Sequence, residues 1–386
     1  MDCDVVIVGA GLIGTSLAVA LGRRDLSVAL VEPAPPAITS DAWDSRIYAI
    51  SPASQDFLAS LGVWQALDAQ RVQPVTRMEI FGDQPRARLE FSAYQAGIAS
   101  LAYIAENGRI ARALWEAATA LECVRLFAPV RCERLALDDR GAVLALAGGE
   151  TLHAQLVVGA DGAQSWVRRT AGLTARASSY GQLGVVANFT IGRPHEATAF
   201  QWFRADGVLA YLPLPGDRMS MVWSTPEEHG RELLALAPQT LARRVSEAGQ
   251  GVLGDLALVT SPQAFSLSRL IAERMVAQRV ALVGDAAHVV HPLAGQGVNL
   301  GFGDARSLAD VLANREAFRD CGDPVLLRRY ERSRAEAILA MRTMTDGLAT
   351  LFSLPGAAAA QIRNLGLNFT DRLAVLKNLL VRHAIG

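Results

Sequence analysis

The 386-residue chain is 51% hydrophobic and 19% charged, which supplies a sizeable core and excludes a disordered polypeptide. Its 37 basic and 38 acidic side chains leave a net charge of −1. That removes any electrostatic case for nucleic-acid binding, and at about 100–200 residues per domain the length predicts two domains.

In chain order, the acidic start Met1-Asp2-Cys3-Asp4 is unlike the basic beginning of a signal peptide. Residues 5–22 are uncharged and as long as a membrane span, but Gly9, Gly11 and Gly14 favour a buried strand, a tight turn and a helix. A strand over 5–8, a helix over 12–23 and a strand over 27–32 make one βαβ unit, ended by Pro33, Pro35 and Pro36. Helices are predicted over 58–67 and 109–121. Strands over 152–159 and 279–283 each run into a glycine turn. Between them, short aromatic and β-branched stretches over 184–190, 199–203, 207–212 and 219–224 predict an antiparallel sheet inserted into the first domain. From residue 334 on the chain reads as helix, broken at Pro355-Gly356. Cys3, Cys123, Cys132 and Cys321 show no CxxC or Cys/His ligand spacing. Neither disulfides nor a bound metal are expected, and a reducing cytoplasm fits.

Three motifs carry chemistry. Gly9-Ala10-Gly11-Leu12-Ile13-Gly14 lies between a strand and a helix, with Glu32 at the end of the next strand. In that context the glycines let a pyrophosphate reach the helix N-terminus, and the carboxylate suits an adenosine ribose. The second motif is Val157-Val158-Gly159-Ala160-Asp161-Gly162-Ala163-Gln164-Ser165, followed by Val167-Arg168; its bland reading is that Asp161 and Ser165 cap the next helix. The third joins Val283-Gly284-Asp285-Ala286-Ala287-His288 to His291-Pro292-Leu293-Ala294-Gly295-Gln296-Gly297-Val298-Asn299. A carboxylate at a strand end suits sugar-alcohol hydroxyls, and the helix opened by the glycine loop can stabilise the negative charge of a reduced flavin.

In this order and spacing the motifs resemble the class A, single-component FAD-dependent aromatic hydroxylases with the p-hydroxybenzoate hydroxylase fold. Residues 44–51 (Asp-Ser-Arg-Ile-Tyr-Ala-Ile-Ser), Leu61-Gly62-Val63-Trp64 and Tyr103-Ile104-Ala105-Glu106-Asn107 are similar to the ubiquinone-biosynthesis hydroxylases of the UbiH/UbiF/VisC type. So are Asp346-Gly347-Leu348, Leu351-Phe352 and residues 363–367. The resemblance implies an α/β fold with a Rossmann-type FAD-binding domain (1–70, 101–175 and 276–335). It also implies an inserted, mainly antiparallel substrate domain (71–100 and 176–275) and a helical C-terminal segment (336–386). Gly9, Gly11, Leu12, Ile13 and Gly14 would seat the pyrophosphate, Glu32 the ribose and Asp285 the ribityl chain. Arg46 would reach flavin and pyrophosphate, Asn107 and Val130 the FAD chain, and Gly295, Gly297, Val298 and Asn299 the pyrimidine edge. Pro292 would lie near the reacting face, and Asp161 would hold the turn beside FAD and a transient NAD(P)H. The implied reaction is NAD(P)H- and O₂-dependent hydroxylation, through a C4a-hydroperoxyflavin, of a polyprenylated phenol or quinol. No second G-x-G-x-x-G marks a separate nucleotide site, which agrees with transient reductant binding.

Other features stay open at this level. His288 and His291 could relay a proton from a phenol near pH 7, or simply hydrogen-bond a loop backbone. Trp202, Phe203, Tyr211 and Trp223 could line a pocket or fill a core. Arg363, Arg372, Lys377 and Arg382 alternate with leucines in the tail, as on a helix facing a membrane, a multi-enzyme assembly or its own domain. A cytoplasmic chain, peripheral at the inner membrane, suits such a substrate. Rival readings are a hydroxylase of another aromatic compound, a halogenase or prenyl reductase, and a non-catalytic dinucleotide-binding scaffold. A halogenase W-x-W-x-I-P stretch is absent. A scaffold would have no use for Asp285 and the Gly-Gln-Gly-Val-Asn loop.

Overall fold

A computed structural model describes residues 2–35, 41–82, 88–291 and 297–353, without the side chains of 342 and 344–353. Its first sheet runs Val276–Ala277, Val280–Leu282, Thr151–Gly159, Cys3–Val8, Val28–Val31, Val124–Phe127 in spatial order. From Val280–Leu282 to Val124–Phe127 all neighbours are parallel. Strands of this kind are covered on both faces, which is why Val5, Val6 and Ile7 read as an unbroken apolar run and are fully buried. Helix Leu12–Gly22 crosses between the first two strands, and the hairpin Cys132–Leu137/Ala142–Leu146 hangs from Thr151–Gly159.

The second sheet has nine strands, centred on the long strand Ala175–Ile191, which pairs with Arg218–Pro226 on one side and Gln263–Ala272 on the other. Gly207–Leu214 and Thr198–Arg204 continue it as antiparallel neighbours. Among the described residues of this sheet, only the pairing of Thr198–Arg204 with Arg77–Phe81 is parallel. Alternation along each strand separates two faces. One face puts Val185, Trp223, Leu209 and Trp202 into a core with Leu233 and Leu241 of helices Glu227–Ala235 and Pro238–Ala248. Trp202, Tyr211 and Trp223 are therefore core residues, while Phe203, one position on from Trp202, belongs to the opposite face.

A three-stranded sheet of Ile47–Ile50, Ala102–Glu106 and Gln73–Val75 joins the two larger ones. The helix predicted over 58–67 is instead Pro52–Ser60: Ser51 caps it, Pro52 opens it, and Gly62 at φ +71° stops it before the short turn Trp64–Ala66. The last described helix starts at Pro324, ten residues before the predicted position, and reaches Ser353. The predicted break at Pro355 and the amphipathic tail lie outside the described residues.

Candidate cofactor and substrate site

Four motif residues stand at the carboxyl ends of four adjacent parallel strands. In sheet order these are Glu32 after Val28–Val31, Gly9 after Cys3–Val8, Asp161 after Thr151–Gly159, and Asp285 after Val280–Leu282. Ligands of open α/β sheets bind along this edge. Gly9 has φ +104°, and a Cβ there would come within 2.4 Å of the Ala160 carbonyl. A Cβ on Gly14 would lie 1.9 Å from the Gly9 carbonyl. Both glycines are demanded by backbone approach alone. Gly11 differs: it is exposed, and nothing lies within 4 Å of its Cβ position. Among the described residues no side chain caps the helix it opens, so the first amides, Leu12 and Ile13 among them, are left to a ligand as at an anion site. The Leu12 side chain is in the core, and Ile13 packs toward Gly284 and Gly301. The first and third motifs therefore touch.

Glu32 Oε2 accepts from Ala10 N at 2.6 Å and Oε1 from Ala34 N at 3.0 Å. Val130 N donates to the Glu32 carbonyl at 3.0 Å, which puts Val130 beside the same strand end. Asp161 Oδ2 caps the Trp166–Thr170 helix through Trp166 N (2.6 Å) and Val167 N (3.1 Å), while Oδ1 is buried without a partner. Ser165 Oγ caps it too, accepting from Arg168 N. Arg168, buried, donates to the carbonyls of Ala286 (2.7 Å) and Ala163 (2.8 Å), binding the second motif to the third. Asp285 is solvent-exposed yet ringed by protein. That partial desolvation raises its pKa, and the opposing charges of His288 and Arg46 do not cancel the effect.

Arg46 reaches this crevice from the small sheet, its guanidinium 5.7 Å from the Tyr48 ring and 5.6 Å from the Phe265 ring. Burial raises the Tyr48 pKa, against the pull of Arg46. The Arg46 segment is held by a buried carboxylate: Glu106 accepts from Asp44 N, from Arg71 at 2.7 and 2.8 Å, and from Arg109. Asn107 N donates to the Arg46 carbonyl, so Asn107 opens its helix beside that segment. The Asn299 amide is committed to it as well, accepting from Ser51 N and donating to the Ala49 carbonyl, both at 2.9 Å. Gly297 and Val298 begin the same helix, Gly297–Ala313, and Val298 packs on the main core. Pro292 and Gly295 lie outside the described residues.

Neither histidine bonds a loop backbone through the contacts seen. His288 Nε2 is 2.6 Å from Asp304 Oδ2. His291 Nε2 is 3.0 Å from Gln182 Oε1, and burial lowers its pKa to about 4. His291 is thus neutral at pH 7, where a free imidazole would be close to its midpoint. Asp304 had no motif to mark it. Fully buried, it accepts from Gly284 N at 2.9 Å and Arg334 Nε at 2.8 Å as well as meeting His288. Burial pushes its pKa up, but His288 and Arg334 outweigh it and the net direction is down. The one signal in the sequence is a carboxylate among Leu300, Phe302, Ala305 and Leu308 on an otherwise apolar helix face.

The open space over Gly11, the uncapped amides and the desolvated carboxylate of Asp285 fit a dinucleotide with a sugar-alcohol arm. A family model described as FAD binding domain matches residues 2–345, and the chain belongs to this family of FAD-dependent proteins. Within it the chain sides with the ubiquinone-biosynthesis hydroxylases. It is 36% identical over 385 residues to ubiquinone hydroxylase UbiL of Rhodospirillum rubrum, covering 99% of this chain and 89% of that one. It is 35% identical over 386 residues to 3-demethoxyubiquinol 3-hydroxylase of Escherichia coli, covering 99% and 98%. The crystal structure of P. aeruginosa PqsL in complex with 2-aminobenzoylacetate superposes with a TM-score of 0.79 at 28% identity, covering 95% of this chain and all of that one.

Proposed function

We propose that this protein hydroxylates the aromatic ring of a polyprenylated phenol or quinol in ubiquinone biosynthesis, consuming one O₂ and one NAD(P)H per ring and releasing water. Bound FAD supplies the redox chemistry. The observation that carries this reading is the contact of Ile13 with Gly284, which sets the pyrophosphate turn and the Asp285 strand end along one crevice. Gly11, Leu12 and Ile13 hold the pyrophosphate through backbone amides, Glu32 and Val130 flank the ribose, and Asp285 takes the ribityl hydroxyls. Arg46, Asn107 and Asn299 set the segment over the flavin, with Gly297 and Val298 along its ring edge, and Asp161 fixes the neighbouring turn.

Residues 1–70, 101–175 and 276–335 form the cofactor domain in this reading. Residues 71–100 and 176–275 form the substrate domain, and 336–386 the C-terminal segment. Half-buried Val186, Val208, Ala210 and Val222 on the crevice side of the large sheet offer an apolar wall that excludes water from the ring being oxidised. Among the described residues no helix is long and apolar enough to cross a membrane. For a prenylated substrate, our reading places the protein in the cytoplasm at the inner-membrane surface, alone or in an assembly. The test is turnover: purified, FAD-loaded protein should consume NAD(P)H and O₂ and yield a hydroxylated ring when given a prenylated phenol. NAD(P)H oxidation that no phenol stimulates, with no hydroxylated product, contradicts the proposal.

A further inference from the structure

Strand Ala175–Ile191 changes register against Gln263–Ala272 at one place. Ser179 faces Ser268 and Gln182 faces Leu267, so Tyr180 and Gly181 are looped out. Gly181 sits at φ +64°, a conformation that costs glycine little, and its amide donates to Ser179 Oγ. Bulges of this kind re-aim side chains, and here two converge on one ring. Tyr180 meets His291 edge to face, with centroids 4.7 Å apart and planes at 78°. Gln182 Oε1 lies 3.0 Å from His291 Nε2.

An amide oxygen only accepts, so the imidazole proton is on Nε2 and the lone pair on Nδ1. Nδ1 is buried and has no hydrogen-bond partner among the described residues, a costly state unless a ligand brings the missing donor. Burial holds the ring in its neutral form. Register puts the group on the crevice side. Gln182, Gly184 and Asn188 share one face of their strand. Asn188 donates to the Asp44 carbonyl at 2.8 Å, and opposite Gly184 stands Phe265, under Arg46.

Building on the hydroxylase reading, we propose that Gln182, delivered by the Tyr180–Gly181 bulge, is a positioning residue that fixes the tautomer of His291 and leaves Nδ1 to accept a hydrogen bond from the hydroxyl of a phenolic substrate. His291 then orients the ring and does not remove its proton. Recognition is of a hydroxylated arene, and a ligand lacking the hydroxyl loses that bond.

The full-length, FAD-loaded protein is titrated with 2-prenylphenol and with its methyl ether, which has no hydroxyl donor, following the flavin absorption bands. The native protein binds the phenol about tenfold more tightly, the size of one hydrogen bond. His291→Phe and Gln182→Leu abolish that preference. Nitrogen-15 NMR of histidine-labelled protein shows Nδ1 unprotonated at neutral pH in the native protein, and mixed tautomers in Gln182→Leu. A tenfold preference that persists in both His291→Phe and Gln182→Leu overturns the proposal. Native protein that binds neither compound overturns the hydroxylase reading itself, and this proposal with it.

Discussion

His288 Nε2 and Asp304 Oδ2 lie 2.6 Å apart in the protein interior, and the same carboxylate also receives the amide of Gly284 and the guanidinium of Arg334. One side chain thereby pins the turn that presents Asp285, the strand that follows it and the last described helix, Pro324–Ser353. Asp304→Asn leaves the Arg334 guanidinium without its anion. It should cost about 3–5 kcal/mol of stability, as breaking a buried pair does. Urea denaturation of the FAD-free protein measures this, and a midpoint unchanged from the native protein would show the carboxylate to be incidental.

Two glycines of the first turn should fail in different ways. Gly14→Ala drives a Cβ into the Gly9 carbonyl, 1.9 Å away, and should leave little folded protein. Gly11→Ala meets no protein atom within 4 Å, so the FAD-free chain should melt as the native one does while FAD affinity falls at least about tenfold, from crowding of the pyrophosphate amides. Thermal melting with fluorescence titration of FAD separates the cases. Equal FAD affinity in Gly11→Ala would move the pyrophosphate elsewhere.

Asp285 should trade stability for binding. Partial desolvation raises its pKa, so its charged form is disfavoured by folding, and the native state loses stability as pH rises above the ordinary carboxylate range. Asp285→Ala should therefore melt at the native temperature or higher without FAD near neutral pH, yet retain FAD poorly after gel filtration. Full FAD occupancy in this variant would remove Asp285 from the ribityl contact.

These first-rank residues were legible because each belongs to a short motif whose geometry is local: a strand, a glycine turn, a helix start. Glu32 and Asp285 could be read the same way, as last residues of apolar runs. Asp304, Glu106 and Gln182 could not. Asp304 gains its meaning from Arg334, thirty positions away, and Gln182 from His291, 109 positions away, and no local pattern encodes such meetings. The Tyr180–Gly181 bulge is a property of pairing register, which depends on the neighbouring strand. Trp202 and Trp223 carried a genuine ambiguity, settled only by which face of the sheet the helices Glu227–Ala235 and Pro238–Ala248 cover.

Burial depresses His291 from 6.5 to about 4. The folded state thus binds fewer protons than the unfolded chain between those values, and stability should fall as pH drops from about 6.5 to about 4. The stability at stake is about 3 kcal/mol. His291→Phe should remove that slope from the pH dependence of urea unfolding. A variant with the native slope would place the acid sensitivity elsewhere.

The most direct test of the shared crevice is a crystal structure of the protein with FAD bound. The pyrophosphate should lie over the amides of Gly11, Leu12 and Ile13, with ribityl hydroxyls within hydrogen-bond distance of Asp285. A cofactor that touches only one of these two stretches, or neither, would contradict the account at its base.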